Sequence, residues 1–396
     1  MPWTEYRERE NMKFLHLGDL HLGKSLFDFD LIEDQKYILD QILDIADKES
    51  VDGVLIAGDV YDKSVPSEAA TRLLDYFLIE LTKRKIKVCI VSGNHDSDDR
   101  LNYGSTLFAT NQIFISAVFD GTLHRQSFAD GDTEIDIYML PFVKASQVKH
   151  YFPDENIVSY DDAVRTVIRS ADINKNKKNI LVAHQFVSGR GEDPAPAGSE
   201  SIGTQSVGAV EKIGYDCFDV FDYVALGHIH SSQRVGREEI RYAGSPLKYS
   251  LSEVNNEKSV TLITVTAEEG VKIELVSLKP MRDVRHIKGT LKELLDKKNI
   301  KAPEDFIYAT LTDEDIVNDA MGIFQQIYPN TVRIDYDNSH TRQIEQVDIS
   351  RIAENKTFPE LIGDFYRLMY GCEMTEEEMD VMRTAAREAG VINEAG

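Results

Sequence analysis

Between residues 13 and 91 the chain alternates short apolar runs with longer stretches whose apolar residues recur every three or four positions. Residues 13–17, 54–57 and 87–91 suit β-strands. Residues 31–48, with Ile38, Ile42, Ile45 and Ala46 along one stripe, suit an amphipathic helix, as do residues 67–83 with Leu73, Leu74, Phe77, Leu78 and Leu81. A strand apolar on both sides is covered on both sides, which marks a parallel sheet with right-handed helical crossovers. Further strands are expected at residues 135–140, 180–183 and 223–226. The pattern then turns to antiparallel alternation at 259–265 and 272–278, joined by Glu268-Glu269-Gly270. The expected fold class is α/β, a two-sheet α/β sandwich over residues 12–280.

Lys279-Pro280 reads as a boundary. Beyond it, strands expected at 284–287, 306–311 and 331–336 alternate with helices at 291–297 and 316–327, giving a small α+β unit over residues 281–337. A polar linker, 337–355, leads to a helical segment, 356–396, with helices expected at 359–370 and 376–389. The second of these opens on Thr375-Glu376-Glu377-Glu378, a capping box. Leu361, Ile362, Phe365 and Leu368, then Met379, Met382 and Ala386, form apolar stripes that either pack on the chain's own domain or dock on a partner.

The 396 residues carry a net charge of -24. Residues 281–396 hold 14 basic and 23 acidic side chains, a net of -9, and the remainder is -15. Neither part grips phosphate backbones by counterion release, so a DNA substrate would need bound metal ions and a partner to supply positive potential. Cys89, Cys217 and Cys372 are scattered and form no pair with metal-ligand spacing; they are expected to be core thiols in a reducing compartment. Residues 1–11 are polar, with no signal peptide, and no run approaches the roughly 18 to 20 apolar residues of a membrane helix. A cytoplasmic location and no membrane partner are expected.

Chemistry gathers at the strand ends. Residues 13–17 run into Gly18-Asp19-Leu20-His21, 54–57 into Gly58-Asp59-Val60-Tyr61-Asp62, and 87–91 into the loop Gly93-Asn94-His95-Asp96. The later strands run into His184-Gln185 and Gly227-His228-Ile229-His230. Ligands of open α/β sheets collect beyond the carboxyl ends of the strands. In extended backbone residues i and i+2 point the same way, so Asp19 with His21, and His228 with His230, are expected to converge. Glycine ahead of a ligand lets the backbone turn sharply. Imidazole, carboxylate and amide oxygen together suit Mn²⁺, Fe or Zn²⁺. Singly, each motif is a turn signal or a satisfied core residue; five of them at strand ends of one chain describe a metal-binding rim. The Gly- and Pro-rich loop between His184 and His228 is either mobile or functional, and its place between two candidate ligands favours function.

Taken in order, Asp-X-His, Gly-Asp-X-X-Asp, Gly-Asn-His-Asp, a single His and Gly-His-X-His resemble the calcineurin-like metallophosphoesterase superfamily over residues 13–278. The resemblance implies two divalent metal ions, Mn²⁺ foremost. One would be held by Asp19, His21 and His230, the other by Asn94, His184 and His228, with Asp59 bridging. His95 would be catalytic, stabilising or protonating the leaving oxygen, with Asp96 orienting it. Turn or capping chemistry is the alternative for Asp62 and Asp96, which stay outside the site set.

Leu140-Pro141-Phe142, the segment 223–230, Tyr242-Ala243-Gly244-Ser245-Pro246 and Lys279-Pro280-Met281-Arg282-Asp283 resemble the SbcD branch, bacterial nuclease subunits. That resemblance implies a 3'→5' double-strand DNA exonuclease and single-strand endonuclease of a DNA repair complex, cleaving by in-line attack of an activated water. It further implies that the second domain caps the active site and helps choose DNA ends. The terminal helices would dock on the coiled-coil base of an SMC-like ATPase subunit, SbcC, within a heterotetramer containing a homodimer of this subunit. A phosphatase or cyclic-nucleotide phosphodiesterase acting on small substrates explains the acidity better and the second domain worse. A non-enzymatic scaffold on this fold would be expected to lack some of the ligands present here. The branch begins near Met12-Lys13-Phe14, and residues 1–11 receive no function.

Overall fold

In the computed structural model, strands β1 (Asn11–Leu17), β2 (Gly53–Ala57), β3 (Lys87–Val91) and β4 (Ile113–Ser116) lie side by side in parallel, with Phe14 opposite Gly53 and Val54 opposite Val88. The described residues are 11–130, 133–189, 193–195, 212–266, 268, 270–339, 341, 357–370 and 373–388. β2 is buried at every position, as a strand covered on both faces must be. The crossovers are α1 (Ile32–Glu49) and α2 (Glu68–Lys83). The Ser67 hydroxyl starts α2 by accepting the Ala70 N–H at 3.2 Å.

A second sheet follows: β5 (His124–Asp130), β6 (Thr133–Leu140), β7 (Lys178–His184), β8 (Tyr223–Gly227), β9 (Gln233–Val235) and β10 (Arg237–Tyr242), in the order β9-β10-β8-β7-β6-β5. The chain then returns to the first sheet with the hairpin β11 (Ser259–Thr266) and β12 (Gly270–Ser277), β11 pairing antiparallel with β1. The two six-stranded sheets face one another. Phe14, Leu55 and Val91 from the first pack with Ile137, Val182 and Ala225 from the second in one core. His16 is buried at this interface, its Nε2–H donating to the Leu226 carbonyl at 3.1 Å while Tyr223 Oη donates to Nδ1 at 3.0 Å. Cys89 lies in the same core, and burial pushes its thiol pKa up.

The outer face of the second sheet is covered by α3 (Tyr160–Ser170), which sets Val164, Val167 and Ile168 into the core behind a Ser159/Asp162 capping box. The segment 279–283 is stitched to α1. Gln41 exchanges two hydrogen bonds with the Lys279 backbone (2.8 and 3.1 Å), and Arg282 forks onto the buried Asp34 carboxylate.

Compact units divide between Val284 and Arg285. The second unit carries β13 (Val284–Gly289), β14 (Phe306–Leu311) and β15 (Thr331–Tyr336), in that order, over a core of Ile307, Ala309, Leu311, Phe324 and Tyr328. Its two expected helices are shorter than the periodicity suggests. The helix Leu291–Leu294 stops where the Asn299 side chain takes the Glu293 carbonyl at 2.7 Å, an acceptor a longer helix would need. The helix Ala320–Gln325 cannot start earlier because Asp319, its N-cap, has left-handed backbone (φ 52°).

The last two helices, Phe358–Tyr370 and Glu376–Glu388, meet through a 2.7 Å hydrogen bond from Tyr366 to Glu378. Residues 190–192 and 196–211 of the loop expected between His184 and His228, most of the linker expected at 337–355, residues 1–10 and Cys372 lie outside the described residues. Among those described, no helix is long and apolar enough to cross a membrane.

Candidate metal centre

Both sheets deliver side chains to one rim. Asp19 and His21 follow β1, Asp59 follows β2, Asn94 and His95 follow β3, His184 ends β7, and His228 and His230 follow β8. The backbone takes these residues there by an unexpected route. Asp19 (φ 52°), His21 (φ 43°), Asp59 (φ 48°) and His228 (φ 104°) all have positive φ. The extended i, i+2 geometry expected of the two ligand pairs is therefore replaced by left-handed kinks. Hydrogen bonds between the first two loops hold them, Asp19 N–H to the Gly58 carbonyl at 3.1 Å and His21 N–H to the Asp59 carbonyl at 2.9 Å.

Two glycines make the close approach feasible. A Cβ on Gly93 would lie 2.1 Å from Asp59 Oδ1, and one on Gly227 would lie 1.9 Å from the Ala57 carbonyl oxygen. Any side chain at either position would occupy space that the opposite loop already fills.

The donor atoms fall into two clusters that share Asp19, and Asp59 reaches a member of each. Asp19, His21 and His230 bring their ligating atoms within 4.8 Å of one another, and so do Asp19, Asp59 and His184. His95 joins a third such set with His21 and Asp59. His21 Nε2 lies 3.1 Å from His230 Nε2, and Asn94 Oδ1 lies 3.0 Å from both His184 Nε2 and His228 Nδ1. Asp59 Oδ2 faces both clusters, 3.5 Å from His21 Nε2 and 3.4 Å from His184 Nε2. All eight residues singled out by sequence meet here.

Tautomers follow from the partners. A carbonyl oxygen can only accept, so His184 donates Nδ1–H to Ala57 at 2.8 Å and turns the Nε2 lone pair to the centre. In the neutral ring that lone pair confronts the lone pairs of Asn94 Oδ1, and between His21 Nε2 and His230 Nε2 there is room for one proton at most. Buried acceptors facing acceptors, with carboxylates beside them, fit divalent cations.

The charges agree. Burial would push the Asp59 carboxyl up, but His184, His21 and His95 hold it well below the usual carboxylate range. Burial pushes Asp19 up, against the pull of His184 and His230. His184 is drawn down by burial, yet the Asp59 and Asp19 carboxylates more than reverse this and raise it to about 9. Without a cation, a proton on His184 answers the anionic field. His228 is held down to about 3 by burial and by His184.

Asp96 does not orient His95, contrary to expectation. Its carboxylate accepts the N–H groups of Val60 (3.1 Å), Tyr61 (2.9 Å) and Gly93 (2.9 Å), tying the loops after β2 and β3 together. His95 instead donates Nδ1–H to the Asp62 carbonyl at 2.9 Å, and its backbone N–H reaches Asp59 Oδ1 at 2.9 Å. Supporting residues outside the motifs escape sequence reading. Gln35 of α1 donates to the His21 carbonyl at 2.7 Å, Tyr249 donates to the Leu20 carbonyl at 2.5 Å, and Glu253 lies buried behind His230. Only Asp62 carried a signal, as the last position of Gly-Asp-X-X-Asp; its Oδ1 lies 3.6 Å from His21 Nδ1 and 2.7 Å from Lys24 Nζ.

The chain is similar to known proteins. Residues 12–232 match the calcineurin-like phosphoesterase family, and residues 280–370 match the family described as the type 5 capsule protein repressor C-terminal domain. The chain is 34% identical over 387 residues to the D subunit of the nuclease SbcCD from Staphylococcus epidermidis, covering 94% of this chain and 97% of that protein. A dimetal phosphatase structure from Danio rerio is 11% identical, covering 68% of this chain and 99% of its own, with a TM-score of 0.37. A structure from Thermus thermophilus is 12% identical, covering 68% and 100%, with a TM-score of 0.38. Superpositions at that level add nothing to the fold already described.

Proposed function

The chain belongs to the SbcD-type subunits of the calcineurin-like phosphoesterases and is a phosphodiester hydrolase, and from that membership we propose that it is the nuclease of an SbcCD-type DNA repair complex. It acts on DNA as a 3'→5' exonuclease at duplex ends and as an endonuclease on single strands. The observation that carries this reading is Asp59, one buried carboxylate turned toward two clusters of ligating atoms.

Two divalent cations bound there, Mn²⁺ first among those suited to this donor set, would polarise the phosphate and lower the pKa of a water between them. Asp19, His21 and His230 would hold one ion and Asn94, His184 and His228 the other, with Asp59 shared between them. His95 is catalytic. Its Nδ1–H is committed to the Asp62 carbonyl, so Nε2 is the atom that stabilises or protonates the departing sugar oxygen.

The net charge of -24 supports giving DNA retention to a partner, an SMC-like ATPase of the SbcC kind, that contributes basic surface. The helices Phe358–Tyr370 and Glu376–Glu388, with Phe365, Val381 and Met382 exposed, form the docking element for that partner. Residues 281–337 help choose DNA ends, and the subunit works as a homodimer within the heterotetramer.

The test is cleavage of a labelled DNA hairpin with Mn²⁺ or Mg²⁺, with and without the ATPase, by wild type and His95→Gln. Turnover of the variant is expected to fall about 10²- to 10⁴-fold with metal retained; undiminished turnover rejects the role given to His95. The acidity keeps a small-substrate phosphatase as a second reading. Faster hydrolysis of p-nitrophenyl phosphate than of its bis-ester, with the hairpin left intact, would decide for it.

A further inference from the structure

We propose that a buried ion pair, Glu253–Lys258, is the positioning device for His230 and sets the affinity of one metal position without touching the other. This rests on the reading of Asp19, His21 and His230 as one metal-binding cluster.

Glu253 is fully buried and Lys258 is 8% exposed, although no ligand of the rim comes from their segment of chain. Glu253 Oε2 pairs with Lys258 Nζ at 2.5 Å, while Oε1 accepts the Tyr249 N–H at 3.2 Å and lies 3.7 Å from His230 Nδ1. Lys258 Nζ also donates to the His230 carbonyl at 2.9 Å and to Ser245 Oγ at 2.8 Å. The Ser245 N–H reaches the same His230 carbonyl at 3.1 Å. His230 is thus gripped twice, its carbonyl by an ammonium and an amide and its ring from behind by a carboxylate, while Nε2 faces His21 across 3.1 Å.

The Tyr242-Ala243-Gly244-Ser245-Pro246 motif gains a purpose from this grip. Gly244 has φ 76°, and a Cβ there would stand 2.9 Å from the His230 carbonyl oxygen and 2.7 Å from the Ser232 nitrogen. The motif wraps the His230 loop so closely that its backbone and Ser245 become part of the grip.

Stability alone does not account for the pair, since a well-packed apolar pair of similar volume commonly holds a fold as well or better. What the charges do that an apolar pair cannot is address His230. A carboxylate behind a ligating imidazole fixes the ring and raises the basicity of the nitrogen that binds the ion, and losing such a partner typically weakens metal affinity about 10- to 100-fold.

The experiment is Mn²⁺ titration calorimetry and thermal melting of the metal-free full chain for wild type, Glu253→Gln, Glu253→Asp and the double variant Glu253→Gln/Lys258→Met. Glu253→Gln strands a buried ammonium and is expected to melt lower. The double variant removes the stranded charge and is expected to recover melting temperature yet still bind one of two ions about 10- to 100-fold more weakly, the other unchanged. Glu253→Asp is expected to recover part of that affinity. A double variant that binds both ions like wild type overturns the proposal, and so does equal loss at both ions, which marks general loosening. Wild type that binds no Mn²⁺ sinks the metal-site reading and this inference with it; wild type that binds two while the double variant matches it removes this inference alone.

Discussion

A methyl group added at Gly227 would stand 1.9 Å from the Ala57 carbonyl oxygen and 2.8 Å from His184 Nδ1. The closest comfortable approach of carbon to a carbonyl oxygen is about 3.3 Å, so roughly 1.4 Å must open between β8 and β2. The nearest clash is with backbone, and Ala57 and Gly227 belong to different sheets that meet at the rim. Relief by rotating a side chain is therefore closed off. Overpacking of this kind costs about 1–3 kcal/mol, and the upper end applies because strands must move. For a domain this large that is a fall of a few to about ten degrees in melting temperature. Activity should suffer more, because the Ala57 carbonyl anchors His184 and Gly227 precedes His228. A displacement near 1 Å at reacting groups costs about 10²-fold in turnover. Gly227→Ala is expected to show both effects in melts of the metal-free protein and in Mn²⁺-dependent hydrolysis of bis-p-nitrophenyl phosphate. Gly270→Ala meets nothing within 4 Å but strains a φ of 88°, so it is the control expected to melt lower yet keep its turnover. If Gly227→Ala turned over within about twofold of wild type and melted at the same temperature, the tight crossing of the two sheets would be refuted.

Metal uptake should release protons. With no cation bound, burial lowers His184 but the Asp59 and Asp19 carboxylates raise it to about 9, so at neutral pH an incoming ion displaces its proton and apparent affinity climbs about tenfold per pH unit toward that value. Calorimetry in buffers of different ionisation heat measures this, and zero proton release at pH 7.5 would contradict it. His16 predicts an opposite kind of linkage: burial between the sheets lowers it to about 3, so below the usual value near 6.5 only the unfolded chain takes up its proton. Stability contributed by neutral His16 is present above that range and is lost as pH falls toward 3, by on the order of 5 kcal/mol, and His16→Gln should flatten the pH dependence of urea midpoints. Removing residues 356–396 should abolish pull-down by the SMC-like ATPase while leaving bis-p-nitrophenyl phosphate hydrolysis intact; retained pull-down would place the docking element elsewhere.

The first three strands and two crossover helices were readable because continuous apolar runs and a 3.6-residue stripe are forced by burial on two faces and one face respectively. β5 and β10 were not. β5, at an edge, buries only Phe128, and β10 begins Arg-Glu-Glu, so neither shows an apolar run. α3 hid for another reason: Asp161, Asp162, Arg165 and Arg169 break up the stripe formed by Ala163, Val164, Val167 and Ile168. At the rim, the identity of the converging residues could be read from motif order, whereas their backbone could not, since residue type does not announce a left-handed Asp or His. Asp96 misled because adjacency in sequence suggested contact with His95, while a buried carboxylate near bare amides satisfies those amides first. Glu253 and Lys258 belong to none of the motifs, and only folding brings them behind His230.

Asp19, His21, Asp59 and His228 occupy backbone conformations that only glycine adopts freely. Each costs about 1–2 kcal/mol, together a sizeable part of the roughly 5–15 kcal/mol that separates a folded domain from its unfolded ensemble. The rim is therefore a place where the fold works against itself, and glycine at any of these positions would relax the chain while removing a ligand. A more durable version of this protein is within easy mutational reach, but along that path it gives up its chemistry first. Cations that bind only the folded rim push the other way, so the loaded molecule outlasts the bare one by mass action.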